Sequence, residues 1–328
     1  MRRWNEEETN GLNEIKRRLQ SELLTIDQNP EVIGDRKLLR FLRGHNMDIE
    51  KAIEMIAKYI QWRKTSNVDA IRYDIVQGGK NHPSKFPNGE KILRLVPQIV
   101  IDPNIVDKLG APICVEQYNF SPATVLDEIT IEEYIVFVTY ALEFKSLVLE
   151  QLSEAKEREQ IKEFELLIAS GVDPSTLPPY GVILHTCVIR DLNGVGFEHL
   201  GSKGQEIIKA VVGVASDNYP ELMHKCHMIN APWIFNTVWW VIKGWLAPRT
   251  IAKVNVLGTS FRQELEAEID VNNLPDRIGG LYNKPVEPFI FDYQNEGGLL
   301  WTPSPQTTLE SEKVEQVKHN ESIQVGVE

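Results

Sequence analysis

The sequence predicts an α/β fold, in which a small N-terminal helical unit is followed by a mixed sheet covered by helices. Two observations lead to this prediction. Apolar residues recur at helical spacing over about the first 70 residues. The remainder alternates short runs rich in β-branched residues with longer helical patterns. Strands that alternate with helices favour a sheet with helices packed on it.

The N-terminal unit, residues 1–75, is predicted from three runs with apolar residues at helical spacing. These runs lie within residues 12–26, 38–42 and 49–60. Asp48 directly precedes the third run and is a good N-cap residue. The first unit is therefore expected to contain no strands.

The second unit, residues 76–295, is predicted to hold the sheet. Its candidate strands are residues 91–99, 112–119, 181–191, 225–230 and 253–258. Its candidate helices include residues 131–165 and 202–216. Residues 296–328 are rich in Ser, Thr, Glu and Gln, a composition that predicts a disordered tail.

Composition argues against several classes of function. The chain of 328 residues has 35 Lys and Arg against 47 Asp and Glu, a formal net charge of −12. Its long-range field therefore repels nucleic acid, which is not expected as a partner, and any anion site must be local. Three cysteines without a CxxC pair fit a reducing compartment. Because no leader or membrane-spanning stretch is recognisable, we expect a cytoplasmic protein.

Motifs of common enzymes are absent or incomplete in the sequence. Gly194 and Gly196 follow a predicted strand, but His199 stands where a dinucleotide-binding loop needs its third glycine. No GxxxxGK[ST] loop and no nucleophile elbow occur. His224 and His227 are close in sequence, yet no second group of metal ligands is evident. We therefore predict no catalytic residue, no metal and no cofactor.

Tryptophan is concentrated in one segment, since four of the seven tryptophans fall within residues 233–245. In a helix over residues 232–246, a wide apolar face carries several large side chains, among them Phe235, Trp239 and Trp245. Trp240 and Lys243 lie on the opposite stripe. Burial against the sheet explains the apolar face but not Trp240. A tryptophan beside a lysine on an outward stripe is typical of a bilayer interface.

The residues after this helix form a candidate phosphate site. Pro248 suits the first position of a new helical turn, which leaves free backbone N–H groups. Thr250 and Lys253 lie three residues apart on one face and add a hydroxyl donor and a cation. The alternative is that Thr250 caps the turn and that Lys253 is solvated.

Four motifs follow one another in the C-terminal half: Asn218-Tyr219-Pro220-Glu221, Ile229-Asn230-Ala231-Pro232, Leu246-x-Pro248-x-Thr250-x-x-Lys253 and Leu274-Pro275-x-x-Ile278-Gly279-Gly280. In this order they resemble the CRAL-TRIO lipid-binding family, especially its phosphatidylinositol transfer proteins, over roughly residues 30–290. The resemblance implies a helical unit on an α/β domain whose sheet floors a hydrophobic lipid pocket. It also implies a movable gate helix at the tryptophan-rich segment, with gate and membrane contacts from Phe235, Trp239, Trp240, Lys243 and Trp245.

The resemblance further implies a lipid-headgroup site formed by Glu221, Thr250, Lys253 and His45. The transfer proteins have an arginine where His45 stands, and a histidine is mostly uncharged at pH 7. Val188 stands where the proteins that bind two lipids place a threonine associated with phosphatidylcholine binding. Relative to the family, residues 151–180 resemble an insertion, and no role is assigned to them.

The function implied is binding and intermembrane transfer or presentation of a single phospholipid, with phosphatidylinositol as the first choice. The phospholipid is a ligand, no bond is made or broken, and contact with membranes is transient and peripheral. Two alternatives stay open. One is a carrier of a neutral hydrophobic ligand of the tocopherol, retinoid or sterol type. The other is a lipid-sensing regulatory scaffold that presents lipid to a partner such as a lipid kinase or a small GTPase.

Overall fold

The computed structural model describes residues 1–291, apart from the side chains of Leu200 and Val238. The predicted tail, residues 296–328, lies outside the described residues. The helices are α1 (Glu6–Arg18), α2 (Gln20–Leu23), α3 (Pro30–Ile33), α4 (Asp35–Gly44), α5 (Ile49–Thr65), α6 (Val68–Val76), α7 (Gly89–Leu95), α8 (Pro122–Glu128), α9 (Ile131–Ala169), α10 (Ser202–Asn218), α11 (Phe235–Lys243), α12 (Pro248–Ile251) and α13 (Arg262–Glu268). The strands are β1 (Gln98–Val106), β2 (Pro112–Gln117), β3 (Thr186–Asp191), β4 (Met223–Ile229) and β5 (Val254–Val256).

The strands form one mixed sheet in the order β1-β2-β3-β4-β5. β1 and β2 are an antiparallel hairpin, whereas β2 to β5 pair in parallel. Parallel neighbours need long crossover connections, and helices α8 to α12 lie in the segments that connect them. The predicted α/β class with a mixed sheet is confirmed.

The two faces of the sheet have different cores because side chains alternate along each strand. Cys114, Val188 and Cys226 lie in the larger core, beneath α9 and α10. Cys187 and Ile229 lie in a second core, on the other face, with residues of α13. All three cysteines are buried and unpaired. The larger core is the one that borders the cavity described below.

Two candidate strands were wrong in part. Residues 91–95 belong to α7, in which Ile92 is fully buried and its N–H bonds to the carbonyl of Asn88; the strand begins only at Gln98. Residues 181–185 are not in the sheet, because their backbone groups bond elsewhere. Arg36 Nε donates to the carbonyl of Val182 at 2.8 Å, and the N–H of Gly181 bonds to the N-terminal segment. Tertiary contacts, rather than β propensity, set the start of β3.

The N-terminal helices have a hydrophobic core of their own, which includes Leu38, Phe41 and Ile56. Buried arginines join these helices to α9. Arg36 lies 2.6 Å from Glu157, and Arg63 Nη1 donates to Glu143 Oε1 at 2.9 Å. Removing one partner from such a buried pair is strongly destabilising. The division at residue 75 stays a prediction.

Helix α9 runs for 39 residues, further than the predicted 131–165. Thr130 begins it with a capping box, since its hydroxyl accepts from Glu133 N–H and the Glu133 side chain accepts from Thr130 N–H. The first part of the predicted insertion, residues 151–169, continues this helix. Glu157 from this part contacts Arg3 and Arg36, so the segment packs against the N-terminal helices. Within residues 1–291, no helix combines the length and hydropathy of a membrane span.

Candidate functional site

A cavity of about 360 Å³ lies between the sheet and the helices. Val188 and Met228 contribute to its floor, and Val138, Ile207 and Phe235 bring α9, α10 and α11 to its walls. The mostly apolar lining is that of pockets that hold hydrophobic ligands. The predicted hydrophobic pocket is therefore present, and the protein's own side chains do not fill it.

Five residues from separate segments line one end of this cavity, and we call them the mouth cluster: His45, Glu221, Arg249, Thr250 and Lys253. They come from the end of α4, the turn before β4, and the segment that contains α12. The fold thus brings together all four headgroup residues that the resemblance implied. It adds Arg249, which the sequence analysis missed.

Glu221 is held through both its side chain and its backbone. Its Oε1 atom lies 3.0 Å from Lys253 Nζ and 3.0 Å from Arg249 Nε. Arg40 donates to its carbonyl oxygen. Its φ of +57° is in the left-handed region, which is energetically costly for a residue other than glycine. Such strain persists where the surroundings enforce it, as they often do at functional sites.

Arg249 was missed because no motif or helical spacing relates it to its partners. Its Nη1 donates to the carbonyl of Arg43 at 2.7 Å, and its Nη2 donates to Glu221 Oε2 at 3.2 Å. The guanidinium therefore lies beside the end of α4, close to the segment that contains His45. A permanent cation thus exists near the position where the resemblance implied an arginine.

His45 contributes one edge of its ring to the mouth cluster. Its Nδ1 lies 2.9 Å from the carbonyl of Phe41, so in the neutral ring Nδ1 donates and Nε2 is left as an acceptor. The preceding residue, Gly44, packs closely on the next segment: a Cβ here would lie 3.2 Å from Cβ of Pro220, a tight contact. This close approach sets the end of α4 against the turn that carries Glu221.

The short helix α12 offers less to an anion than expected. Pro248 does occupy its first position, but the N–H groups of Thr250 and Ile251 both bond to the carbonyl of Ala247. The expectation of free N–H groups is therefore wrong for these two residues. Ala247, not Thr250, is the N-cap residue, and among residues 1–291 the Thr250 hydroxyl has no hydrogen-bond partner. Side chains, rather than the helix terminus, supply the donors of the mouth cluster.

The mouth cluster is locally positive within a negative protein, since two cations face one carboxylate. Lys253 also donates to the carbonyl of Met223 at 2.8 Å. Nearby, burial and the positive charges of Arg40 and Lys253 together lower the pKa of His185 to about 3. The arrangement can hold an anion through Arg249 and Lys253. The same site can bind hydroxyl groups through Glu221.

The tryptophan-rich segment divides into an inner and an outer face, as predicted, although α11 is shorter than residues 232–246. Phe235 and Trp239 are buried and stacked, with ring centroids 6.2 Å apart, and Trp245 is half-buried. On the outside, Trp240 is 78% exposed and Lys243 is exposed as well.

Trp233, which belongs to the tryptophan-rich segment but was predicted on neither face, contacts a second exposed aromatic residue, Phe197. Trp233 is 79% exposed and Phe197 is 71% exposed, and their rings are in edge contact, with centroids 6.3 Å apart. Phe197 comes from a different part of the chain, just before α10. A helical pattern within residues 232–246 therefore had no means of indicating it.

Within residues 1–291, one group of side chains has the donor atoms of a metal site, formed by Asp107, Cys187 and His224. Its carboxylate is already used, because Asp107 Oδ1 accepts from the N–H groups of Leu109 and Ala111. Asp107 Oδ2 lies 2.7 Å from His224 Nε2. Burial raises the pKa of the Cys187 thiol, which disfavours the thiolate that a metal needs. The group is best explained as support for the β1–β2 turn.

Comparison with known proteins agrees with this architecture. The chain is 30% identical over 244 residues to "Phosphatidylinositol/phosphatidylcholine transfer protein SFH4" of Arabidopsis thaliana, covering 74% of this chain and 34% of that protein. It is 29% identical over 250 residues to "Sec14 cytosolic factor" of Schizosaccharomyces pombe, covering 76% of each. The chain thus spans about a third of the length of the Arabidopsis relative.

A solved structure, "Crystal structure of Sfh5", has the same fold, with a TM-score of 0.57 at 16% identity. The match covers 96% of this chain and all of that one. The sequence model of the CRAL/TRIO domain matches residues 106–280, which is more than half of the chain. This range contains the sheet from β2 to β5, the cavity floor and every residue of the mouth cluster except His45. The protein therefore belongs to the CRAL/TRIO domain family.

Proposed function

We propose that the protein binds a single phospholipid in its cavity and transfers it between membranes or presents it at a membrane, with phosphatidylinositol as the preferred lipid. The observation that carries the proposal is the mouth cluster at the end of an apolar cavity. The names of the Arabidopsis and fission yeast relatives support it: one is a phosphatidylinositol and phosphatidylcholine transfer protein, the other a Sec14 cytosolic factor. No chemical step is part of the proposal.

The acyl chains give little selectivity in this mechanism. Burial of a diacyl lipid removes roughly 30 methylenes from water at about 0.8 kcal/mol each, on the order of 25 kcal/mol. A bilayer provides nearly the same free energy, so the chains mainly need shielding during transit. Selectivity must then come from the headgroup, whose buried phosphate needs cations and donors.

The mouth cluster suits an anionic phosphate that carries hydroxyl groups. Arg249 and Lys253 supply the cations, and the Thr250 hydroxyl supplies a further donor. The Glu221 carboxylate accepts from hydroxyl groups such as those of an inositol ring. A choline headgroup has no hydroxyl group for Glu221, and its permanent positive charge is repelled by Arg249 and Lys253. Phosphatidylinositol is therefore favoured over phosphatidylcholine.

The tryptophan-rich helix is proposed as the gate. On its inner face Phe235 lines the cavity, Trp239 stacks on Phe235, and Trp245 is half-buried further along the segment. Its outer face presents Trp240 and Lys243 to the headgroup zone, where amphipathic rings and amines are favoured. Opening of α11 at a membrane would join the cavity to the bilayer, and closure would shield the lipid in transit through the cytoplasm.

A carrier of a neutral ligand of the tocopherol, retinoid or sterol type is the second candidate. It is favoured by one observation, namely that Glu221 and Lys253 already pair with each other. Against it stands the second cation, Arg249, because Glu221 alone cannot neutralise both Arg249 and Lys253 when the ligand is neutral. The lipid-sensing scaffold is distinguished by behaviour: a scaffold holds its lipid and binds a partner in fixed proportion, whereas a carrier exchanges lipid rapidly between vesicles.

The test is native mass spectrometry of the purified protein after incubation with phosphatidylinositol vesicles. We expect one bound phosphatidylinositol, and at least tenfold weaker loading in Lys253→Ala, because a charge-assisted hydrogen bond contributes about 1.5–3 kcal/mol. Lys225→Ala is the matched control, since Lys225 also pairs with a glutamate, Glu268, at 3.1 Å, but beside α13. Equal loading of both variants would refute the headgroup assignment. Co-purification of a neutral lipid would favour the second candidate.

A further inference from the structure

A second group of polar side chains lines the cavity away from the mouth cluster. Glu116 in β2 and Arg190 in β3 are direct partners in the sheet register, and both face the cavity, as does Lys145 of α9. We call these three residues the deep cluster. Near the mouth cluster, Thr186 at the start of β3 pairs in the sheet with Met223, and the carbonyl of Met223 accepts a hydrogen bond from Lys253.

The deep cluster is separate from the mouth cluster. Arg190 lies four residues beyond Thr186 along β3, which is about 13 Å at 3.3 Å per residue. The floor between them is apolar, because Val188 has Cys114 on one side and Cys226 on the other. The two clusters therefore lie at different positions along the strands of the cavity floor.

The deep cluster has more positive than negative charge. Arg190 Nε donates to Glu116 Oε2 at 2.8 Å, and Tyr118 donates to the same oxygen at 3.2 Å. Lys145 Nζ lies 4.0 Å from Glu116 Oε1. Burial alone would raise the pKa of Glu116, but the charges of Arg190 and Lys145 hold it below its usual value. One ionised carboxylate thus faces two cations in an apolar cavity.

Several donors of the deep cluster are unused. A separation of 4.0 Å is too long for a hydrogen bond, so the Lys145 ammonium has no hydrogen-bond acceptor among residues 1–291. Arg190 uses only its Nε, and its two terminal nitrogens have no acceptor within the same described part of the chain. Both side chains line the cavity. These donors are therefore open to a ligand in the cavity, and carboxylate or phosphate oxygens are the acceptors that suit them best.

We propose that the deep cluster binds the carboxylate or phosphate of an anionic amphiphile whose hydrocarbon chain lies along the apolar part of the cavity. The excess positive charge disfavours a quaternary ammonium group at this position, and a neutral alcohol leaves the charge uncompensated. The ligand class is therefore that of fatty acids and lipid phosphates. This site goes beyond the function proposed for the mouth cluster and does not depend on its lipid specificity.

The experiment is titration of the purified full chain with three single-chain probes, followed by native mass spectrometry. The probes are palmitate, hexadecyl phosphate and hexadecyltrimethylammonium. The key variant is Lys145→Met, which removes one cation and leaves the Glu116–Arg190 pair intact, so that folding is preserved. Lys145→Arg retains the charge, and Lys225→Ala removes a lysine on the opposite face of the sheet. Circular dichroism confirms that each variant folds.

We expect one palmitate or one hexadecyl phosphate per wild-type chain, at least tenfold weaker binding in Lys145→Met, and binding close to wild type in Lys145→Arg and Lys225→Ala. Tighter binding of palmitate identifies a fatty-acid carboxylate as the ligand, and tighter binding of hexadecyl phosphate identifies a phosphate. Wild-type affinity in Lys145→Met, or equally tight binding of hexadecyltrimethylammonium, overturns the proposal.

The same measurements separate this proposal from the proposed function. Wild-type protein that binds palmitate but does not load phosphatidylinositol would refute the proposed function alone. Normal phosphatidylinositol loading, together with anionic-probe binding that depends on Lys253 and not on Lys145, would refute the deep cluster alone.

Discussion

Trp240 provides the most direct test of the membrane-contact face. Its side chain is 78% exposed, and with roughly 200 Å² for an indole this leaves about 150 Å² available to lipid. At about 25 cal/mol per Å², complete burial would contribute about 4 kcal/mol. A ring at the interface keeps part of its surface wet, so we expect about half of this. Trp240→Ala should then lose about 2 kcal/mol of membrane affinity, or about 30-fold in partition coefficient.

The assay is sedimentation with sucrose-loaded phosphatidylcholine vesicles, whose zwitterionic headgroups minimise the contribution of net charge. Leu109→Ala is the control, because Leu109 is 80% exposed but lies in the β1–β2 turn, beside α13. It should partition like the wild type. Partitioning of Trp240→Ala within twofold of wild type, or an equal loss in Leu109→Ala, would refute the assignment of the outer face of α11.

Three further predictions concern charged side chains. Arg249→Gln should weaken phosphatidylinositol loading about tenfold in native mass spectrometry, because it removes one of the two cations beside Glu221; unchanged loading would show that Lys253 suffices. Burial, reinforced by the charge of Asp69, raises the pKa of Asp27 from 3.8 to about 7. Between these two pH values the folded protein keeps a proton that the unfolded chain releases, so the free energy of unfolding falls as the pH rises. In urea unfolding, Asp27→Asn should therefore stabilise the protein more at pH 7.5 than at pH 5, by at least about 1 kcal/mol. An equal stabilisation at both pH values would contradict the raised pKa of Asp27. Arg63→Met should reduce the free energy of unfolding by about 3–5 kcal/mol, since it leaves Glu143 buried without its cation; a loss below about 1 kcal/mol would show that the pair is not needed.

Much of the fold follows from local patterns. Apolar spacing predicted α5, α9 and α10 close to their observed bounds, and the β-branched runs located β2 and β4 to within two residues. The errors occurred where distant contacts replaced local preference. Residues 91–95 became helical because Ile92 is buried one turn before Val96. Residues 181–185 do not join the sheet, because Arg36 donates a hydrogen bond to one of their carbonyl groups.

The candidate site was predicted only in part. Glu221, Thr250 and Lys253 were named through motifs, and the fold brings them together with His45. Arg249 was not found, because its partners Arg43 and Glu221 are distant in sequence and meet only when α4 packs against the turn before β4. Likewise, no pattern in the sequence places Lys145 next to Glu116.

By itself, the sequence of this protein determined its class, most of its helices and strands, and the tryptophan-rich helix with one face for the core and one for solvent. These properties depend on neighbours within a few residues, where spacing and capping decide the outcome. Only the tertiary structure decided which charges share the cavity: two cations around Glu221 in the mouth cluster, and two around Glu116 in the deep cluster. The physical reason is that a buried charge is stabilised by partners within a few ångströms, and the packing of distant segments alone determines which side chains come that close.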